Sequence, residues 1–90
     1  MGSRFRPSPD ALAQRVGDEI VLVHLRTDRI FSLNRTGARI WELLSKNYSP
    51  FEIQERLLQD FEVDERQLKK ELESLIGSLC EQDLLVISQE

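Results

Sequence analysis

Residues 28–41, DRIFSLNRTGARIW, constrain the fold of this chain most, because they pass from one periodicity to another within a few positions. Residues 29–33 form a short run in which three of the five side chains are large and apolar, as expected of a strand. The run breaks at Asn34, and a helix that carries Trp41 is predicted from about Thr36. The segment therefore predicts a strand that leads almost directly into a helix.

Two further strands are predicted before this segment. Residues 11–16 form the first, and residues 19–25, which are rich in β-branched side chains, form the second. Gly17 lies between them and suits a two-residue hairpin turn, which needs positive φ. A short polar turn at residues 26–28 then leads to the strand at 29–33. Short turns favour an antiparallel meander, which leaves the first and third strands at the edges of the sheet.

Two helices are predicted from the middle of the chain. The first covers about residues 36–46 and has its apolar side chains on one face. The second has the start signal of a capping box, in which Ser49 is the cap and Glu52 reaches back to it. Pro50 fits the first helical position. We expect this helix to stop before Phe61.

A third helix is predicted to begin after the cap residue Asp64, with Gln67 returning the capping bond, and to end near Glu81. One last short strand is predicted at residues 84–88. The third helix carries an apolar stripe at helical spacing, which consists of Leu68, Leu72, Leu75, Ile76 and Leu79.

These elements predict an α+β fold, a winged-helix-type domain in which a three-stranded antiparallel meander is followed by three helices. Ninety residues suffice for one modest core, so we expect residues 11–90 to form a single domain. Residues 1–10 are expected to be a flexible arm or a tag remnant, because the two prolines in residues 4–10 oppose regular structure.

Composition excludes several classes of protein and of site. The net charge of −4 removes the long-range attraction to phosphate, so no nucleic-acid partner is expected. No apolar run approaches the roughly 20 residues that span a bilayer, so no membrane partner is expected. The N-terminus lacks the apolar core of a signal peptide, which predicts a cytoplasmic protein. One cysteine and one histidine permit no intrachain disulfide and are too few for structural zinc.

The chain shows no constellation of catalytic residues. His24 lies within an apolar run, so we interpret it as a half-buried structural residue rather than a base. Cys80 borders the apolar stripe of the third helix and is expected to be a small hydrophobe at the margin of the core. The four glycines are isolated, so there is no phosphate-binding loop. We therefore predict no enzyme, no catalytic residue, no metal and no cofactor.

The winged-helix architecture leaves open a second interpretation, a DNA-binding transcriptional regulator. A recognition helix needs an exposed face with basic and amide groups. The third helix offers Arg66, Lys69 and Lys70, but also Glu71 and Glu73, so its face has mixed sign. This interpretation therefore depends on the fold, which is weak evidence of function.

We expect the strand at residues 29–33 to carry the function, because it is an edge strand without proline or lysine. Edge strands expose unpaired N–H and C=O groups that recruit other strands, and most proteins blunt them. Residues 4–10 could cover this edge, or an extended peptide could dock on it. The residues alone do not favour either interpretation.

A Leu-Asn junction at Leu33, followed by Thr-Gly-Ala from Thr36 and Ile-Trp from Ile40, resembles the PqqD-like family over about residues 16–87. Members of that family are RiPP recognition elements, which hold the leader segment of a precursor peptide while partner enzymes modify or cut it. The resemblance implies a stand-alone domain of this kind. It leaves open whether the domain is the lasso-peptide type, which works beside a separate leader peptidase, a pyrroloquinoline quinone chaperone, or part of another maturation system.

The resemblance also implies where the peptide binds, since these domains clamp a leader between the edge strand and the third helix. The expected partners are a precursor leader peptide and a leader peptidase or other maturation enzyme. On the third helix we expect the wall of the groove on the side shared by Leu72 and Ile76, with Lys69 and Glu73 at its rim. The full predicted site consists of Arg29, Ile30, Phe31, Ser32, Leu33, Leu68, Lys69, Leu72, Glu73 and Ile76.

Overall fold

The computed structural model describes residues 4–88, which form five strands and three helices. In chain order the elements are β1 (Arg4–Pro7), β2 (Ala11–Val16), β3 (Glu19–His24), β4 (Ile30–Leu33), α1 (Arg35–Ser45), α2 (Pro50–Asp60), α3 (Glu65–Glu81) and β5 (Leu85–Ser88). Strands β2, β3 and β4 form an antiparallel sheet in that order, and β1 pairs with β5 in a separate two-stranded sheet. The predicted α+β arrangement, a three-stranded antiparallel meander followed by three helices, is confirmed.

The N-terminal residues differ from the expectation of an arm without regular structure. Residues 4–7 form β1, which pairs with β5 in antiparallel register, so that Phe5 lies opposite Ile87. Phe5 also packs against the main core. A strand in a two-stranded sheet needs its backbone bonds on one side only, and Pro7, its last residue, is therefore tolerated. The predicted tag remnant at residues 1–3 lies outside the described residues.

The junction between β4 and α1 lies close to its predicted position. Arg29, which was predicted to begin the strand, belongs to the preceding turn, where its N–H donates to Thr27 Oγ1 at 3.4 Å. Helix α1 begins at Arg35, because the side chain of Asn34 caps it and accepts the N–H of Gly37 at 2.9 Å. The strand and the helix are thus separated by a single residue.

The two predicted helix caps are both present, but only one is a complete capping box. Ser49 and Glu52 exchange both bonds at the start of α2. At α3, Asp64 accepts the N–H of Gln67 at 3.1 Å, whereas the Gln67 side chain donates to Glu71 at 3.4 Å. The side chain of Gln67 thus bonds forward along the helix, where we had predicted that it returns to the cap.

The core lies between the inner face of the three-stranded sheet and the three helices. Ile20 and Leu22 of β3 and Leu33 of β4 are buried on the sheet side. Trp41 is buried on α1 with only 4% of its surface exposed. The apolar stripe of α3 is buried, apart from Leu75, which is half-buried at the margin. The main contributions from the helices are Ile40, Trp41, Leu43, Leu44, Ile53, Leu57, Leu68, Leu72, Ile76 and Leu79.

Candidate functional site

Strand β4 is an open edge of the three-stranded sheet. On its inner side it pairs with β3, and within residues 4–88 no strand pairs with its outer side. Residues 4–7, which belong to the N-terminal segment that could have covered this edge, pair with β5 instead. The edge predicted from the absence of proline and lysine is therefore accessible.

The register of the sheet determines which backbone groups this edge presents. The N–H of His24 donates to the carbonyl of Arg29 at 2.9 Å, and in an antiparallel ladder such bonded pairs alternate along the strand. Phe31 and Leu33, which lie opposite Leu22 and Ile20, therefore bond to β3. The N–H and C=O groups of the intervening residues, Ile30 and Ser32, point outward. A short strand thus presents two donors and two acceptors to an incoming chain.

The side chains of β4 alternate between the two faces of the sheet. Leu33 is buried on the inner face, and Phe31 is half-buried beside it. Ile30 and Ser32 are exposed on the outer face, and Ile30 has 69% of its surface accessible. The inner side chains of β4 therefore belong to the core and its margin, and the outer ones face solvent.

A groove runs between β4, the start of α1 and the flank of α3; we call it the β4–α3 groove. Its volume of about 630 Å³ lies within the range of about 300–1,000 Å³ that is common for ligand clefts. Phe31, Ile40 and Leu75 contribute apolar surface to it. The other α3 residues that line it are polar: Lys70, Glu71, Ser74 and Ser78. A strand added to β4 would direct alternate side chains into this groove.

The residues that were predicted to form the wall on α3 do not line the β4–α3 groove. Leu68, Leu72 and Ile76 are buried in the core, with 2%, 2% and 8% of their surfaces exposed. Lys69 and Glu73 line a second groove between α2 and α3, together with Leu72. Successive helical residues turn by about 100°, so positions 69 and 73 fall on one side of the Leu72 stripe and positions 71, 75 and 78 on the other.

The helical phase alone does not show which flank of α3 faces β4, because both sides of the stripe carry polar and charged residues. One asymmetry was available in the sequence. Leu75 extends the stripe toward the flank of Glu71 and Ser78, and the structure places it half-buried at the β4–α3 groove. A partly apolar margin is typical of a groove wall that is covered only when a ligand binds.

Gly37 lies where the first turn of α1 meets the Leu33-Asn34 junction at the end of β4. A Cβ atom added to Gly37 would lie 3.3 Å from Leu33 Cβ and 3.4 Å from Asn34 Oδ1. The absence of a side chain therefore allows the first turn of α1 to pack closely against the end of β4. This contact fixes the floor of the groove relative to the edge strand.

A polar cluster holds the β3–β4 turn against the end of α3. His24 is almost fully buried; its Nδ1 accepts the N–H of Arg26 at 3.2 Å, so its Nε2 donates to Asp83, also at 3.2 Å. The Arg26 side chain pairs with Asp10 and Asp83, and the hydrogen bond with Asp10 raises the pKa of its guanidinium. Arg29 donates to Gln82 at 3.1 Å. The predicted structural role of His24 is consistent with these contacts.

Two observations on the described residues concern reactive thiols and metal binding. Burial raises the pKa of the half-buried Cys80 thiol, which disfavours the reactive thiolate. Among residues 4–88, no three His, Cys, Asp or Glu side chains lie close enough together to hold a metal ion.

None of the three described helices has the length and apolarity needed to cross a membrane.

Comparisons with known proteins agree with this architecture. The family model of coenzyme PQQ synthesis protein D (PqqD) matches residues 19–85. The structure of TbiB1 in complex with the TbiA(beta) leader peptide is similar, with 29% identity and a TM-score of 0.85 over 94% of this chain and 99% of that one. No curated protein sequence matches significantly.

A second solved structure, lasso peptide synthetase B1 complexed with the leader peptide, is 25% identical, with a TM-score of 0.83 over 92% of this chain and 98% of that one. Both similarities extend over nearly the whole of each chain. The PqqD match begins at Glu19 and ends at Leu85, so it includes the edge strand, the β4–α3 groove and all three helices. The chain therefore belongs to the PqqD family.

Proposed function

We propose that this protein binds the leader segment of a ribosomally made precursor peptide by strand addition to β4 and presents it to a maturation enzyme. The observation that carries the proposal is the open edge of β4, whose outward N–H and C=O groups at Ile30 and Ser32 lie beside the β4–α3 groove. The two similar structures, both complexes with leader peptides, support it.

In strand addition, the affinity and the specificity of binding come from different groups. Backbone hydrogen bonds to Ile30 and Ser32 supply affinity that depends little on the peptide's side chains. Alternate side chains of the peptide enter the β4–α3 groove, where Phe31 and Leu75 offer apolar surface and Lys70 and Glu71 offer charge. Such a short segment buries less surface than a standard interface, so we expect a Kd on the order of micromolar or somewhat tighter.

The protein has no catalytic role in this proposal. Its partner is a leader peptidase or a modifying enzyme, and lasso-peptide biosynthesis is the setting that the similar structures favour. When the domain and the enzyme associate, the bound leader reaches a high effective concentration at the enzyme's active site. The domain thus accelerates a reaction that it does not perform.

The experiment that tests strand addition uses two substitutions at Ser32. Its N–H points away from β3, so Ser32→Pro removes an outward donor without removing a bond of the sheet. We expect Ser32→Pro to abolish binding of a fluorescent leader peptide from a precursor gene next to this one, measured by anisotropy. Ser32→Ala keeps both backbone groups and should be almost silent. Thermal melts of both variants provide the control, and tight binding by a folded Ser32→Pro variant would refute docking at this edge.

The flank of α3 is tested separately. Leu75→Asp places a charge in the β4–α3 groove and should weaken leader binding by about ten-fold or more. Phe51→Asp is the matched control, because Phe51 is exposed and lines the second groove, on the other side of α3. If Phe51→Asp weakens binding and Leu75→Asp does not, the peptide lies between α2 and α3. Ile76→Asp is unsuitable for this purpose, because Ile76 belongs to the core.

A further inference from the structure

The outer face of the three-stranded sheet carries a line of apolar side chains that ends at the open edge. Leu12 lies opposite Val23, and Val23 lies opposite Ile30, so the three side chains are neighbours on one face. We call them the apolar row. Leu12 and Ile30 are 52% and 69% exposed, and Val23 is half-buried between them. The apolar row therefore remains largely in contact with water.

The neighbouring row on the same face has a different character. Gln14 lies opposite Val21, which lies opposite Ser32, so this row ends at the edge with a small polar side chain. Along the outer face of β4 the order is thus apolar Ile30 and then polar Ser32, two positions later. Phe31, between them, faces the groove. The edge strand consequently offers different chemistry on its two faces and at successive positions.

We infer that the outer face of the three-stranded sheet, like the groove, selects among peptides. This inference rests on the strand addition proposed above. The docked peptide carries a large apolar residue beside Ile30 and a polar residue beside Ser32. A strand paired with β4 places every second side chain on the outer face, with Cβ atoms about 4.5–5.5 Å from those directly opposite.

The physical basis is burial of the apolar row. An apolar peptide residue beside Ile30 extends the row by one member and removes part of the exposed surface of Ile30 from water. A charged residue at that place leaves Ile30 uncovered. Because the rows run across the strands, the requirement holds whether the peptide runs parallel or antiparallel to β4. The substrate class is therefore a peptide with apolar side chains on both faces, not only on the face that enters the groove.

A displayed library of random short peptides tests this inference on the full chain. Selections are run in parallel on the wild-type protein and on Ile30→Glu, and only peptides whose binding is lost with Ser32→Pro are retained. We expect one outward position to be apolar in the wild-type selection and to become Lys or Arg with Ile30→Glu. For a single selected peptide, Lys at that position should weaken binding to the wild type by up to about five-fold and strengthen binding to Ile30→Glu.

Val16→Glu provides the matched control for this selection. Val16 is 59% exposed on the same outer face, but it lies on β2 opposite Glu19 and shares no row with a residue of β4. It should retain the wild-type preference. If peptides that depend on Ser32 show the same preferences with wild type and Ile30→Glu, the inference is wrong while strand addition stands. If no selected peptide depends on Ser32, strand addition itself fails.

Discussion

At the scale of single residues, Trp41 is the largest side chain of the buried core. It is buried on α1 together with Ile40 and Leu44. Trp41→Ala leaves a large cavity and should lower the free energy of unfolding by roughly 3–5 kcal/mol. Chemical denaturation measures this loss. A variant that unfolds like the wild type but no longer binds a leader would assign Trp41 to the binding surface instead.

Cys80 and His24 are the side chains that nucleophilic catalysis by a cysteine and a histidine would use. We expect the purified protein to cleave no leader peptide, and Cys80→Ala and His24→Gln to change leader binding by no more than a few-fold. His24 bonds Arg26 and Asp83 in the interior, so its replacement should lower stability by about 1–3 kcal/mol. Mass spectrometry of the leader after incubation is the measurement. Cleavage that disappears in either variant would show that the domain is an enzyme.

At the scale of elements, the start of α2 has a predictable dependence on pH. Hydrogen bonds from Ser49 lower the pKa of Glu52 in the folded protein. Protonation is therefore easier in the unfolded chain, and the stabilisation is complete above the ordinary glutamate pKa and disappears as the pH falls through the lowered value. Glu52→Gln keeps an acceptor that does not titrate. The stability difference between wild type and Glu52→Gln in acid titrations should shrink in this range, and a constant difference would contradict the assignment.

The elements also show which features the sequence can predict. The start of α3 followed from Asp64 and its end from the apolar stripe, because caps and periodicity are local signals. The flank of α3 that faces β4 did not follow, because Glu71 and Glu73 lie on opposite sides of the stripe and, apart from Leu75, its two margins are similarly polar. Strand β1 was missed for another reason: its partner β5 is at the far end of the chain, and no local pattern in residues 4–7 indicates that pairing.

At the scale of the whole molecule, charge separates peptide binding from DNA binding. The chain carries a net charge of −4, and the α3 residues that line the β4–α3 groove include both Lys70 and Glu71. We expect weak binding to duplex DNA without sequence preference. An electrophoretic shift at physiological salt, with nanomolar protein and one sequence only, would favour the regulator instead. The comparisons give that alternative no support, since both similar structures are leader-peptide complexes.

The pairing of β1 with β5 has a consequence for the way this domain can be attached to others. Arg4 lies opposite Ser88, so the two ends of the described chain are neighbours, and neither strand lines the β4–α3 groove. Adjacent ends allow a domain to be inserted into a loop of another protein or to be circularly permuted. A copy inserted in this way would be connected to its host at adjacent positions. It could rotate about these connections and direct its open edge toward a neighbouring active site.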